Sequence, residues 1–413
     1  MTHILIIGKS FSGLKDHLIT HGYQYTVLQD KLATKSPEKH LKNRLVVDFA
    51  NPNALLEASS AIHKKKPIDG VVTIYENYVL HASRISTHLG LSGMSEKAAQ
   101  ACTDKELMRE LFSQAPAKIS PDSAVITSEK DVQTFAKSHG FPLIIKPANL
   151  SKSLLVTKST SFEELITNYR KTVKQITSVY AKYAPGQTPK LLIEEFMEGP
   201  IFSVDAFVDA NGVPHVLENV VDYQTGYDIG HNDNFHYSRL LPSQLPADKI
   251  KAIRQIATTG CRALGMTSSP AHIEIIYTKD GPRIVEIGAR NGGYRERMHR
   301  LANDIDITKN ALALALNQPL DIAPKKNDPV GVFELFPKTP GIFQGIKNED
   351  ALRSLPSLNY LSIKAKPGQL VGKASDGYKM SAVVILHSSD AIQFHRDQKY
   401  LRDHIHITAT PIN

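Results

Sequence analysis

A chain of 413 residues is long enough to bury a substantial core and to divide into roughly two to four domains, and its two cysteines, Cys102 and Cys261, both in predicted helices, cannot build a disulfide framework. The net charge of +8 invites a nucleic-acid reading, but the basic residues are scattered: the densest run, Lys64-Lys65-Lys66, closes a helix whose dipole it opposes, and no aromatic-interleaved or zinc-finger spacing accompanies it. No apolar run reaches membrane-spanning length and the opening HILIIG is interrupted at once by Gly8 and Lys9, so the chain is expected to carry no signal segment and no membrane span, and to work in a reducing cytoplasm.

In chain order, residues 1–115 alternate strand and helix: HILIIG, a helix near Ser12 to His21, YTVLQ, LVVDF, a helix over Pro52 to Lys65, GVVTIY, and helices over Tyr78 to Leu89 and Lys97 to Ser113. That alternation predicts a parallel sheet with helices on its faces. GKSFSG after the first strand matches neither the dinucleotide nor the P-loop spacing and reads as a turn into a helix. Glu76 ends a strand run here, where parallel α/β sheets place ligands. Residues 116–190 form a small α+β unit with helices near Glu129 to His139 and Phe162 to Tyr180, ended by the breaker APGQTP. Residues 191–320 hold two β-rich runs joined by Lys279-Asp280-Gly281-Pro282 and a helix from Tyr294 onward, and residues 321–413 are β-rich.

The chemistry concentrates in AHIEIIYTKDGPRIVEIGARNGG, residues 271–293. A hairpin across that turn puts Glu274 and Glu286 on one face, and two hard oxygen donors suit Mg²⁺, which fills its other positions with water and phosphate oxygens. Four residues on, Arg290 offers a fork of donors for a phosphoryl group or a carboxylate. A plain hairpin with solvated acids is the competing reading. Upstream, Lys146 ends an apolar run and can reach a phosphate, while the turn with Ser151, Lys152 and Ser153 can cover the phosphate tail. The segment Glu194-Glu195-Phe196-Met197 before the Gly199-Pro200 turn can supply an acceptor and a backbone edge to adenine. Gly292-Gly293 lets backbone approach a ligand at the start of a helix, with Arg295 either at that ligand or, like Arg297 and Arg300, on solvent. His272 shares a strand face with Glu274 and can orient substrate, while His231 and His236 sit in a polar run that can line a substrate pocket or form a plain loop. Asp205 and Glu218 can point either way.

Taken in this order the segments resemble the ATP-grasp superfamily, and within it the carboxylate–amine ligases that include the L-amino-acid (dipeptide) ligases. The resemblance implies an α/β ATP-grasp fold: a parallel-sheet pre-grasp domain (1–115), a small subdomain (116–190), a large subdomain with the metal and catalytic residues (191–320) and a β-rich C-terminal lid (321–413). By the same resemblance Lys105 and Lys146 are the phosphate-side lysines, Glu194 is the adenine amino contact, Phe196 and Met197 are the hinge backbone, Glu274 and Glu286 are the metal ligands, and Arg290 is the arginine of a Glu-x-x-x-Arg-x-Gly-Gly signature. It implies ATP with Mg²⁺ or Mn²⁺, a small carboxylate such as an amino acid, and an amine as partners, with no nucleic acid or membrane and a homodimer as one assembly open to it. The expected chemistry is ATP-dependent amide formation through an acyl phosphate, releasing ADP and phosphate. Alternatives are a carboxylase- or formyl-transfer-like enzyme and a catalytically weakened nucleotide-binding regulator. Three departures motivate the last: the phosphate loop Asn149–Leu155 has no glycine, Ile201 stands where relatives carry a ribose-binding glutamate, and Gly288 stands where relatives often carry a metal-binding asparagine.

Overall fold

The computed structural model describes residues 1–9, 12–31, 42–150, 154–184, 187–231 and 233–412. Its first sheet is parallel throughout, in the order Arg44–Val47, Gln24–Asp30, His3–Ile7, Gly70–Val72. Every residue of His3–Ile7 is buried because side chains alternate between two covered faces. Leu5, Ile7 and Leu28 pack with Leu55 and Ile85 from the helices Pro52–Lys65 and Val79–His88. Ile4, Ile6 and Val27 pack with Leu14 and Leu18 of the helix Ser12–Thr20 and with Leu312 from far along the chain.

The helix expected over Lys97 to Ser113 is two helices, Glu96–Ala101 and Lys105–Ser113. Asp104 breaks the run: its backbone is extended, and its side chain accepts from the Glu106 N–H as the N-cap of the second helix. Lys105 thereby becomes the first residue of a helix, and its own N–H donates to the Ala148 carbonyl at 2.9 Å, docking that helix end beside the strand that carries Lys146.

The second sheet is antiparallel, in the order Ser123–Ile126, Leu191–Glu195, Leu143–Pro147, Thr157–Ser159, with the helices Glu129–His139 and Phe162–Tyr183 packed on it through Val132, Phe135, Leu165 and Tyr169. The strand Leu191–Glu195 therefore lies in the same sheet as the segment before residue 190.

The third sheet has nine strands and runs from Gly281–Gly288 through Ser269–Thr278, Ile201–Val208, Val221–Thr225 and His236–Leu241 to Val330–Leu335, Ala382–His387 and Leu358–Ile363, with Pro214–Val216 beside Ile201–Val208. It continues without a break across residue 320, so the C-terminal strands extend the large sheet, and Gly341–Lys347, Leu370–Val371 and His406–Thr410 form a separate three-stranded sheet. Period-two alternation, with one register shift opposite Glu274/Ile275 in the strand Gly281–Gly288, sorts the large sheet into two faces. Val204, Ala206, Ile273, Ile275, Ile284 and Ile287 face the helix Ala247–Ala263 and form the largest core cluster. Ser203, Asp205, His272, Glu274 and Glu286 point the other way. Register completes the arrangement: Glu274 pairs directly with Glu286 and with Ser203, and His272 pairs with Asp205. Among the described residues no helix is long and apolar enough to cross a membrane.

Candidate active site

Three cation–carboxylate pairs gather where the sheets meet. Lys105 Nζ lies 2.9 Å from Glu286 Oε2 and also donates to the Leu150 carbonyl at 3.3 Å. Lys146 Nζ lies 2.6 Å from Glu194 Oε2. Arg290 Nε lies 2.9 Å from Glu76 Oε2, which ties the hairpin to the first domain. The Glu76 carboxylate also fills the space a side chain at position 288 would need, since a Cβ on Gly288 would stand 2.9 Å from Glu76 Oε2.

The electrostatics follow from burial and neighbours. Burial alone would push the Lys105 ammonium down, but Glu286 outweighs it and holds the group above its ordinary value. For Lys146 burial wins, opposed by Glu194 and assisted by the positive charges of Arg109 and Lys105, and its pKa falls to about 8. Lys105 holds the Glu286 carboxyl below its usual range. At Glu274 burial raises the pKa, and the nearby His272 ring together with other positive neighbours outweighs it, so the carboxyl is held below its usual range. Burial pushes Glu76 up. Two ionised carboxylates facing each other across a hairpin fit a hard divalent cation.

Behind Glu274 lies a closed polar cluster. Asp205 takes His272 Nδ1 at 2.8 Å, His299 Nε2 at 3.2 Å and Arg295 Nε at 3.3 Å. Arg295 also donates to Ser203 Oγ at 2.8 Å and to the Tyr223 hydroxyl at 2.7 Å. Its side chain is 0% exposed, so Arg295 lies off the solvent: its Nη atoms donate inside the fold, and its Nε is enclosed in an ion pair with Asp205 without a hydrogen bond. Arg297, by contrast, stacks over the Tyr360 ring, with the guanidinium 4.2 Å from the centroid.

Other expected residues are placed differently from one another. Glu195 follows Glu194 on one strand, and alternation turns its side chain to the opposite face, where it accepts from Lys118 Nζ at 2.8 Å and the Asp122 N–H at 3.0 Å, away from Lys146. Glu194, offered as an adenine contact, is instead engaged by Arg109, with Nε at 2.9 Å from Oε1, as well as by Lys146. Phe196 and Met197 are half-buried, and Lys158 Nζ sits 3.8 Å from the Phe196 ring centroid. Gly292 is glycine for a packing reason, because a Cβ there would meet His272 Nδ1 at 2.5 Å and Arg295 Cγ at 2.7 Å. Gly293 has nothing within 4 Å of that position and leaves the turn open. The helix begins at Arg295 rather than Tyr294, which holds a left-handed φ of 64°. His236 opens a strand and its ring lies 4.3 Å from that of Tyr223, whereas His231 packs 5.2 Å from Tyr237 in the preceding turn. Ser151, Lys152 and Ser153 lie outside the described residues.

Sequence reasoning missed Arg109, which bridges Glu194 and the Val285 carbonyl. Its signal was present: Arg109 lies one helical turn beyond Lys105, on the same face. The orientation of Asp205, left open by the sequence, and the place of His299 were not recoverable in the same way, because only the pairing of two strands distant in sequence and a packed helix brings them to His272.

Residues 139–296 match the ATP-grasp domain family and residues 20–93 match the ATP-grasp N-terminal domain family. The alanine–anticapsin ligase of Bacillus subtilis (strain 168) is 24% identical over 295 residues, 66% of this chain and 60% of that ligase. A crystal structure of an L-amino acid ligase from Bacillus licheniformis superposes with a TM-score of 0.80 at 18% identity, covering 100% of this chain and 99% of the other. An N5-carboxyaminoimidazole synthetase from Staphylococcus aureus, complexed with ADP, superposes with a TM-score of 0.72 at 13% identity, covering 97% of each chain.

Proposed function

We propose that this chain, an ATP-grasp protein by the two domains it carries, is an ATP-dependent carboxylate–amine ligase whose acid is an amino acid. One observation carries the reading: the cations Lys105, Lys146 and Arg290 and the carboxylates Glu274 and Glu286 converge at the junction of the sheets. Such a set suits phosphoryl transfer, where the protein supplies positioning and electrostatics rather than a covalent partner. The ligases among its relatives support the same class.

In this reading Lys146 and Lys105 hold the phosphates of ATP, and Glu274 and Glu286 hold Mg²⁺ or Mn²⁺. When bound, that ion neutralises charge on the phosphate oxygens. A substrate carboxylate oxygen attacks the γ-phosphorus and the bond to the β-phosphate oxygen breaks, giving an acyl phosphate and ADP. An amine nitrogen then attacks the acyl carbon, its proton passes to solvent, and the carbon–oxygen bond to phosphate breaks. Arg290 lies at the hairpin's end with a fork suited to the oxyanion of that step, once Glu76 releases it. Lys105 and Arg290 each begin paired with a carboxylate, and Glu194 keeps Arg109 when Lys146 turns to a phosphate, so ligand binding exchanges one anionic partner of these cations for another.

The test is a screen of ADP and phosphate release over paired amino acids, with mass spectrometry of the products. An amide-linked product with one ADP per bond is expected. Turnover that requires bicarbonate or formate, with that carbon retained in the product, would replace this reading by the carboxylase or formyl-transfer class; the absence of ADP formation with every pair would sink both.

A further inference from the structure

We propose that His272, held by Asp205, is a positioning residue that orients Glu274 and the Gly292–Gly293 turn from behind; this rests on the ligase reading of the hairpin. The strand register places His272 opposite Asp205 on one side, while Glu274 follows two residues later on the same face. His272 Nδ1 is committed to Asp205 at 2.8 Å, and Asp205 is itself fixed by His299 and Arg295, so the ring cannot rotate freely. Its other nitrogen faces the Tyr223 hydroxyl at 3.4 Å and Glu274 Oε1 at 3.7 Å. Gly292 packs against the same ring so closely that a Cβ would stand 2.5 Å from Nδ1. One imidazole thus sets both the carboxylate and the turn that follows Arg290.

The two hairpin glutamates differ in this respect. Glu286 is held by Lys105, a partner also expected to move to phosphate, whereas Glu274 faces, at 3.7 Å, a ring fixed by Asp205 on its other nitrogen. A carboxylate seated this way is preorganised for a cation, and removing such an outer partner typically weakens metal binding about 10- to 100-fold.

The experiment measures Mn²⁺ binding by electron paramagnetic resonance on the full chain with ADP present, and ADP binding without metal by calorimetry. His272→Phe, which keeps a ring against Gly292, and His272→Asn, which keeps a donor for Asp205, are both expected to weaken Mn²⁺ by about tenfold or more while leaving metal-free ADP binding unchanged. Asp205→Asn is expected to do the same and to add nothing on top of His272→Phe; if that variant does not fold, the two histidine variants decide alone. A loss of less than tenfold in both, with Glu274→Gln and Glu286→Gln clearly impaired, overturns the positioning role and leaves the ligase reading standing. Unchanged Mn²⁺ binding in the two glutamate variants overturns the metal assignment, and the positioning role with it.

Discussion

The charged groups of this site fall into two regions built on opposite plans. At the junction of the sheets two of the three pairs keep some access: Lys105 and Glu286 are 17% and 34% exposed, and Arg290 and Glu76 are 24% and 27%, while Lys146 and Glu194 are enclosed at 9% and 3%. One strand away, Asp205 collects three donors, and Arg295, His299 and His272 around it are 0%, 0% and 6% exposed. A partly open pair can trade its partner for a ligand at small cost, whereas a saturated, enclosed cluster cannot trade at all. In the proposed ligase, that difference separates the residues assigned to substrates from those that hold the floor beneath them.

The comparison is broken most directly at Arg295. Arg295→Met leaves Asp205 short of a buried counter-charge and leaves Ser203 and Tyr223 without a donor, so stability should fall by about 3–5 kcal/mol. Lys105→Met at the exchangeable pair should cost about 1 kcal/mol or less, as for a pair open to water. Urea denaturation followed by circular dichroism measures both. Equal losses would show that the two regions do not differ in kind.

Arg290 sharpens the comparison on the catalytic side. Arg290→Lys keeps the charge but loses the bidentate fork, so ATP should still bind while turnover falls by about two to three orders of magnitude, the usual loss of one oxyanion donor. Calorimetric affinity and phosphate release should separate. If they fall together, Arg290 is a brace for Glu76 and belongs with the closed cluster.

Lys146, the enclosed cation of the junction, adds a pH signature. Its folded pKa of about 8 lies below the ordinary lysine value of 10.5, so between these limits the unfolded chain binds the extra proton, and this group's contribution to stability rises with pH across that window. Nucleotide affinity runs the other way. Above about pH 8 the free protein loses the charge that would meet phosphate, and ATP affinity should decline by up to about tenfold per pH unit. Lys146→Arg, which stays charged, should flatten the profile measured by calorimetry; a profile unchanged by that substitution would remove Lys146 from the phosphate site.

How far the sequence exposed this arrangement depended on whether a contact was local. The hairpin itself was legible from its turn signal, but the direct pairing of Glu274 with Glu286 depends on a register shift between Glu274 and Ile275 that strict alternation from the turn does not give. The parallel first sheet was legible from the alternation of strand and helix segments along residues 1–115. The break at Asp104 was not read, although a capping aspartate within a helical run was its signal. Glu195 was read with Glu194, yet alternation divides them. What stayed hidden was set by distance along the chain: the Arg290–Glu76 pair spans two domains, and the Asp205 cluster needs a strand, a second strand and a helix to be placed before any contact exists. Arg295 looks like a surface residue in its own segment, and only the packing of its helix on the sheet buries it.

The smallest expected effect concerns the nucleotide's sugar and marks the outer limit of the open region. Ile201 opens the strand Ile201–Val208 and pairs with Ile276, so the position where relatives carry an acidic ribose contact is apolar and offers no acceptor to a ribose hydroxyl. A site built to bond a hydroxyl rejects the analogue lacking it, because its own polar group is then left unpaired; an isoleucine leaves nothing unpaired. Discrimination between ATP and 2′-deoxy-ATP should therefore stay below about a hundredfold, or about 3 kcal/mol, when their kcat/KM values are compared. A larger preference for the ribonucleotide would mean that a polar residue elsewhere reaches the sugar, and the open region would then extend beyond the pairs described here.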